Sequence, residues 1–313
     1  MIIHTNIEEI EIPNAVVSVG TFDGLHLGHR EILQYLTEIA KNSNGKSVVF
    51  TFENHPRKII EQNNFEIRLL SSPEERDELF AKAGIDHLIL HPFTSEFANL
   101  SYREFIENVL IKKIGMRILV IGFNHHLGRN REGNFESILA LSKELNFNVV
   151  RLEAIRIENI QLSSTKIRNA LNEGNIPLAN TFLGYKYFIS GTVLKGRQLG
   201  RTIGFPTANI EVDSSEKLIP MQGVYSVLVH IAGKQYQGML NIGFRPTIAS
   251  ESPVKSIEVN IFNFDQDIYG SKIRVYFVSF IRNEQKFESI DALKEQLHQD
   301  KKRTISIISS LPQ

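Results

Sequence analysis

Two histidines three residues apart, His26 and His29, stand in the stretch Gly20-Thr21-Phe22-Asp23-Gly24-Leu25-His26-Leu27-Gly28-His29-Arg30. Imidazoles in such a turn can donate hydrogen bonds to phosphate oxygens as charge develops on them. The spacing is wrong for a zinc site of the His-Glu-x-x-His type, and no glutamate lies between the two. A second group, Ser163-Ser164-Thr165 followed by Arg168, combines hydroxyls with an arginine one helical turn along, which reads either as an anion site or as a plain serine/threonine cap. Glu258 alternates with Ile257, Val259 and Ile261, so a strand places it opposite the apolar face, where it meets solvent or a ligand.

The flanking residues say which elements hold these groups. Val16-Val17-Ser18-Val19 reads as a buried strand, and Ile32, Leu33, Leu36 and Ile39 recur at helical spacing. The histidine stretch is therefore a strand, a turn carrying glycines 20, 24 and 28, and a helix start whose unpaired N–H groups and positive dipole end favour an anion. Residues 47–52, 87–90, 117–121 and 148–152 are further strand candidates. Capped helices are expected from Ser72-Pro73-Glu74-Glu75 and Ser101-Tyr102-Arg103-Glu104, and others over 135–145 and from Ser164 to Asn172, with Gly174 as a stop. This alternation predicts a parallel sheet covered by helices on both faces, with ligands bound beyond the carboxyl ends of its strands. After Gly184 short segments alternate with period two, as at Tyr225, Val227, Val229 and Ile231, and a turn is expected at Ala232-Gly233-Lys234. A small antiparallel barrel with a final helix from Ser289 is the expectation, which divides the chain into domains 1–184 and 185–313.

Composition sets the bounds. The 313 residues carry 35 basic and 35 acidic side chains, so net charge offers no argument for nucleic acid or an anionic membrane as partner. The absence of cysteine excludes disulfide and thiolate chemistry and suits a reducing cytosol. No apolar run approaches the ~20 residues of a membrane helix, and the early Glu8, Glu9 and Glu11 do not read as a secretory signal. A cytoplasmic protein is the expectation. Gly191 to Gln198 has a superficial likeness to a phosphate-binding P-loop, but arginine stands for the lysine, glutamine for the hydroxyl residue, and no helix is expected to follow.

The histidine stretch, with its His26-Leu27-Gly28-His29 core, resembles the His-x-Gly-His signature of the nucleotidylyltransferase superfamily. In its Gly-Thr-Phe-Asp-Gly-x-His form it is most similar to the adenylyltransferase half of bacterial bifunctional riboflavin kinase/FAD synthetases. Ser163-Ser164-Thr165-Lys166-Ile167-Arg168 resembles the Ser-Ser-Thr-x-x-Arg segment that closes that family's active site. The resemblance implies a nucleotide site formed by Gly20, Phe22, Asp23, Gly24, Ser163, Ser164 and Thr165, with His26, His29 and Arg168 stabilising the transition state. Gly122 to Gly133 is similar to another family segment, with Asn124 where aspartate is commoner and without its phenylalanines; Asn124 is an implied nucleotide contact. Phe52-Glu53-Asn54-His55-Pro56 resembles a further segment, with Asn54 for its usual proline, and implies His55 as a flavin or phosphate contact.

The second domain carries its own resemblance. Gly204-Phe205-Pro206-Thr207-Ala208-Asn209 contains the Pro-Thr-Ala-Asn element of riboflavin kinases. It implies Gly204, Thr207 and Asn209 at the nucleotide, with Thr207 and Asn209 holding Mg²⁺, hard oxygen ligands for a hard cation. Glu258 is the implied general base, with Asn260 where histidine is usual, and Arg282 is implied near the flavin. The expected function is phosphorylation of riboflavin by ATP to FMN, then transfer of an adenylyl group from a second ATP to give FAD. The alternatives are a chain with only its kinase half active and a flavin-binding regulator without turnover.

Overall fold

The computed structural model describes residues 1–8, 10–60, 67–123, 125–153, 156–157, 160–196, 198–245 and 254–311. The chain folds as two compact units, Met1–Ser164 and Thr165–Gln313.

The first unit is built on a parallel sheet of six strands: β1 (Ile2–His4), β2 (Ala15–Val19), β3 (Lys46–Phe52), β4 (His87–His91), β5 (Met116–Ile121) and β6 (Asn148–Arg151). Every residue of β2 is buried, as a central strand covered on both faces requires. The spatial order is β1-β4-β3-β2-β5-β6. From β2 the chain steps outward to β3 and β4, then returns to the other side of β2 for β5 and β6. β2 and β5 are thus the neighbours at which the winding reverses, and it is beyond the carboxyl ends of such strands that open α/β sheets bind ligands. The histidine turn follows β2, and the Gly122 to Gly133 segment follows β5. β1 is a three-residue edge strand with Ile2 and Ile3 exposed, too short to show a pattern in the sequence.

Helix α1 (Leu27–Asn42) buries Leu33, Leu36 and Ala40. Helix α2 (Pro73–Lys82) has both halves of its Ser72/Glu75 capping box. The capping box at Ser101/Glu104 also forms, but after Tyr102–Glu104 the helix widens into a π-helical stretch, Phe105–Ile111, that buries Phe105, Ile106, Val109 and Leu110. Helix α3 (Phe135–Leu145) ends on Asn146 in the left-handed conformation. A two-strand hairpin, β7 (Arg156–Ile157) and β8 (Ile160–Gln161), closes the unit.

The second unit is a closed antiparallel barrel of β9 (Phe188–Leu194), β10 (Ala208–Val212), β11 (Gly223–Ile231), β12 (Lys234–Arg245), β13 (Val254–Ile261) and β14 (Lys272–Arg282), in the order β10-β13-β12-β11-β14-β9. Ala232 and Gly233, both at positive φ, form the two-residue turn between β11 and β12 that suits strongly twisted strands. Residues 191–194 lie within β9, paired with β10, so they form no phosphate loop. Contrary to the sequence expectation, a helical turn does follow, Leu199–Thr202, but it is a single turn. Helices α4 (Ser164–Asn172) and α5 (Ile176–Leu183) pack on the barrel: the Leu171 carbonyl accepts from the Met221 amide at 3.1 Å, and the Asn180 side chain donates to the Phe277 carbonyl at 3.0 Å. The long helix α6 (Ile290–Ser309) is capped by Ser289. Arg282 binds Asp300 of α6 through Nε at 3.1 and 3.0 Å and Nη2 at 2.8 Å, with the carboxylate 2% exposed.

Candidate functional site

The turn after β2 is tighter than its glycines alone explain. Gly24 has φ +78°, but Phe22 at +47° and Leu25 at +34° are also left-handed, and both are buried. Burial of the two apolar side chains holds a backbone that they would otherwise avoid. The buried carboxylate of Asp23 accepts from the Leu70 amide at 2.9 and 3.1 Å and the Ser71 amide at 3.3 Å. Asp23 therefore shapes the turn by anchoring residues 70 and 71. The Gly24 amide donates to Ser71 Oγ at 3.4 Å, and Ser164 Oγ donates to the Asp23 carbonyl at 3.1 Å.

His26 is the N-cap of α1, its Nδ1 accepting from the His29 amide at 3.3 Å. Because Nδ1 is the acceptor, the proton of the neutral ring sits on Nε2, leaving one N–H to donate elsewhere. The His26 and His29 rings stack with centroids 3.6 Å apart and planes at 16°. Burial pushes His26 down to about 4. Burial, and then the charge of His26, hold His29 well below the ordinary histidine range. Both shifts favour the neutral, hydrogen-bonding form of the ring at physiological pH. Nδ1 of His29 is buried without a partner among the described residues, and its ring packs T-shaped with Phe22, centroids 5.2 Å apart.

Asn124 lies outside the described residues. Beside it His125 has a buried Nε2 with no partner among the described residues and is lowered by burial to about 4. Asn54 donates to the Phe93 carbonyl at 2.9 Å and accepts from its amide at 2.8 Å, so its amide imitates a strand bridge that proline could not make. His55 Nδ1 accepts from the Arg57 amide at 3.2 Å, at the start of the short helix Arg57–Ile60. Ser163 is half-buried; Thr165, exposed, and Arg168, half-buried, lie on α4 within the second unit.

In the barrel, register brings the polar residues together. Asn209 on β10 and Asn241 on β12 both stand directly opposite Glu258 on β13, one on each side. Ile257, Val259 and Ile261 are buried, and Glu258 is half-buried on the opposite face, as its alternation predicts. Thr207 Oγ1 donates to Glu258 Oε2 at 3.0 Å, so the carboxylate and the hydroxyl converge. A Cβ on Gly196 would overlap the Asn209 amide nitrogen, so a side chain there would displace that amide. Gly204 has φ +81°, a conformation that favours glycine, and a Cβ there would face open space. Asn241, flanking Glu258, donates to Glu284 Oε1 at 2.6 Å. Its place beside Glu258 depends on strand order, which the sequence does not display. Arg282, implied near the flavin, has its guanidinium engaged by Asp300 and by the Asn283 carbonyl at 3.0 Å.

The two groups hold different chemistry. The first turn offers neutral N–H donors at a helix N-terminus, suited to an anion. The barrel site offers a carboxylate, a hydroxyl and an amide, all hard oxygen donors. Among the described residues no three or more His, Cys, Asp or Glu side chains form a metal cage.

Comparison with known proteins gives matching results for each unit. Residues 9–166 match the FAD synthetase family, and residues 183–308 match the riboflavin kinase family. The chain is 36% identical over 296 residues to a bifunctional riboflavin kinase/FMN adenylyltransferase of Buchnera aphidicola subsp. Acyrthosiphon pisum, covering 94% of this chain and 93% of the relative. It is 34% identical over 296 residues to the protein of that name from Escherichia coli strain K12, with the same coverage. A crystal structure titled as a macrolide-efflux protein from Streptococcus pneumoniae superposes with a TM-score of 0.87 at 34% identity, covering 97% of this chain and 98% of that one. Among the described residues of this chain, no helix is long and apolar enough to cross a membrane.

Proposed function

The chain belongs to the bifunctional riboflavin kinase/FMN adenylyltransferase family, and from that premise we propose which residues carry each of its two reactions. It phosphorylates riboflavin to FMN and adenylylates FMN to FAD, using ATP in both steps.

In the barrel, Glu258 takes the proton of the ribityl terminal hydroxyl. That oxygen bonds to the γ-phosphorus of ATP as the bond to the bridging oxygen breaks, giving FMN and ADP. The observation that carries this assignment is the 3.0 Å contact of Thr207 with Glu258, in a register that also sets Asn209 opposite the same carboxylate. With no protein cage of three acidic or histidine ligands among the described residues, oxygens from Thr207 and Asn209 fit a cation held mainly by substrate phosphates and water, which is the habit of Mg²⁺. Bound there, the metal would neutralise charge on the transferring phosphoryl group. Gly204 lets the chain turn beside the nucleotide. Arg282, held by Asp300, serves the flavin indirectly, through the docked α6.

In the first unit, an FMN phosphate oxygen attacks the α-phosphorus of ATP and pyrophosphate leaves. The attacking group is already anionic, so no side-chain nucleophile is needed. His26 donates from Nε2 and His29 from its ring N–H to the phosphate oxygens, while Gly20, Phe22, Asp23 and Gly24 shape the turn that receives them. Ser163 and Ser164 contribute hydroxyls. The parts given to Thr165, Arg168 and Asn124 at the nucleotide, and to His55 at the flavin or a phosphate, rest on their motifs. The domains proposed are 1–184 and 185–313. The riboflavin kinase match begins at 183 and left-handed Gly184, φ +72°, closes α5, which supports that boundary, whereas by compactness residues 165–184 group with the barrel. ATP as co-substrate of both steps supports a cytoplasmic location.

The test is separability, read by chromatography after incubation with ATP and Mg²⁺. Glu258→Gln should abolish FMN formation from riboflavin yet convert supplied FMN to FAD. His26→Ala should lower FAD formation on the order of 10²-fold or more and leave FMN formation intact. A matched loss of both activities in either variant refutes the two-site assignment.

A further inference from the structure

Asn260 follows Glu258 by two residues on β13 and so shares its face. It is buried, and its amide nitrogen donates to the Pro206 carbonyl at 2.7 Å. Proline has no N–H, so this carbonyl is the one backbone hydrogen-bonding group that residue 206 offers. Fixing the carbonyl fixes the plane of the Pro206–Thr207 peptide, and with it the direction in which the Thr207 side chain leaves the backbone. Thr207 in turn donates to Glu258 at 3.0 Å. A closed ring results, running from Glu258 along β13 to Asn260, across to Pro206, on to Thr207 and back to Glu258.

The residue before Pro206 is anchored as well. Phe205 is buried with Met239 and Phe262, packs against Leu297, and stands T-shaped to the His298 ring, centroids 5.0 Å apart. Its amide donates to the Gly200 carbonyl at 2.8 Å. Phe205 thus fixes where the turn sits, whereas the Asn260 hydrogen bond fixes how the next peptide is rotated.

We propose that Asn260 is a positioning residue for the kinase reaction, its amide N–H orienting the Pro206–Thr207 peptide so that the Thr207 oxygen and the Glu258 carboxylate address the same ATP and hydroxyl pair. The inference rests on the roles given above to Glu258 and Thr207. The interaction requires a donor opposite a carbonyl. Aspartate, nearly the same shape, offers only acceptors when ionised, whereas a histidine ring N–H can replace the donor.

The experiment is steady-state kinetics of FMN formation for Asn260→Asp, Asn260→Ala and Asn260→His, with FAD formation from supplied FMN measured on the same preparations. Asn260→Asp and Asn260→Ala should lower kcat/KM for ATP about 10- to 100-fold, the scale of a misplacement near 1 Å. The KM for riboflavin and the rate of FAD formation should stay within about twofold, and Asn260→His should recover most of the loss. Wild-type kcat and KM for ATP in Asn260→Asp overturn the inference, as does an Asn260→His variant no better than Asn260→Asp. Equal loss of both activities also overturns it, by pointing to a merely structural role. Glu258→Gln separates the two levels: if it keeps full kinase activity, the site assignment itself fails, whereas its loss alongside a normal Asn260→Asp removes only the positioning role.

Discussion

Acid should weaken the first unit through its histidines, and His26 gives the magnitude. In the unfolded chain its ring takes up a proton near 6.5, whereas in the fold it resists until about 4 because it is buried. A depressed folded value means that this contribution is fully present above the unfolded value and is lost as pH falls from about 6.5 to about 4. At about 1.4 kcal/mol for each pH unit, the displacement amounts to ~3 kcal/mol. His29 and His125 push in the same direction, and His29 shares its shift with the ring stacked on it. The perturbation that isolates His26 is His26→Asn, which keeps a side-chain acceptor at the N-cap and removes the titration. Urea unfolding followed by circular dichroism from pH 7.5 to 4.5 should show the wild type losing roughly 2–3 kcal/mol more than the variant. The same neutrality predicts that FAD formation from supplied FMN does not decline as pH rises from 6 to 8. Identical pH dependence of stability in both proteins, or an FAD-forming rate that falls as pH rises through the ordinary histidine range, would refute the argument that these rings work uncharged.

Asp300→Ala should cost about 3 kcal/mol, because it strands a largely buried guanidinium. It should also raise the KM for ATP in FMN formation, since α6 carries Leu297 and His298 against Phe205; a calorimetric melt and an ATP titration check both, and an unchanged melt removes the premise. Gly196→Ala, whose Cβ would overlap the Asn209 amide, should lower kcat/KM for ATP in FMN formation about 10-fold or more while FAD formation persists. Unaltered kinase kinetics would show that the Asn209 amide can move without loss.

Much of the fold is legible in residue order alone. Hydrophobic periodicity places the strands at β2 to β6 and the capped helices at Ser72 and Ser101, because burial on a sheet and N-cap hydrogen bonding are local demands on residue type. β1, β9 and β10 escape that reading: β1 is three residues long, and β9 and β10 are interrupted by glycine or polar residues whose place comes from their partners. The π-helical widening at 105–111 likewise has no signature in spacing. Asn54, a departure from the family segment it resembles, proves to bridge the Phe93 backbone, a contact 39 residues away in the chain.

The sequence by itself determined the types of chemistry present: imidazoles at a helix start, a hydroxyl and amide after a proline, and a carboxylate on the wrong side of an apolar strand. Those are properties of residues and of short-range geometry. Only the tertiary structure decided which groups meet. The Asp23 carboxylate holds the amides of residues 70 and 71, and the Arg282 guanidinium holds Asp300, partners that no local pattern displays. Glu258 came to stand between Asn209 and Asn241, with Thr207 on its oxygen, through strand order and register. Even the charge state of the two signature histidines was a tertiary matter, because burial and a stacked neighbour, not the imidazole alone, set where a ring takes up its proton.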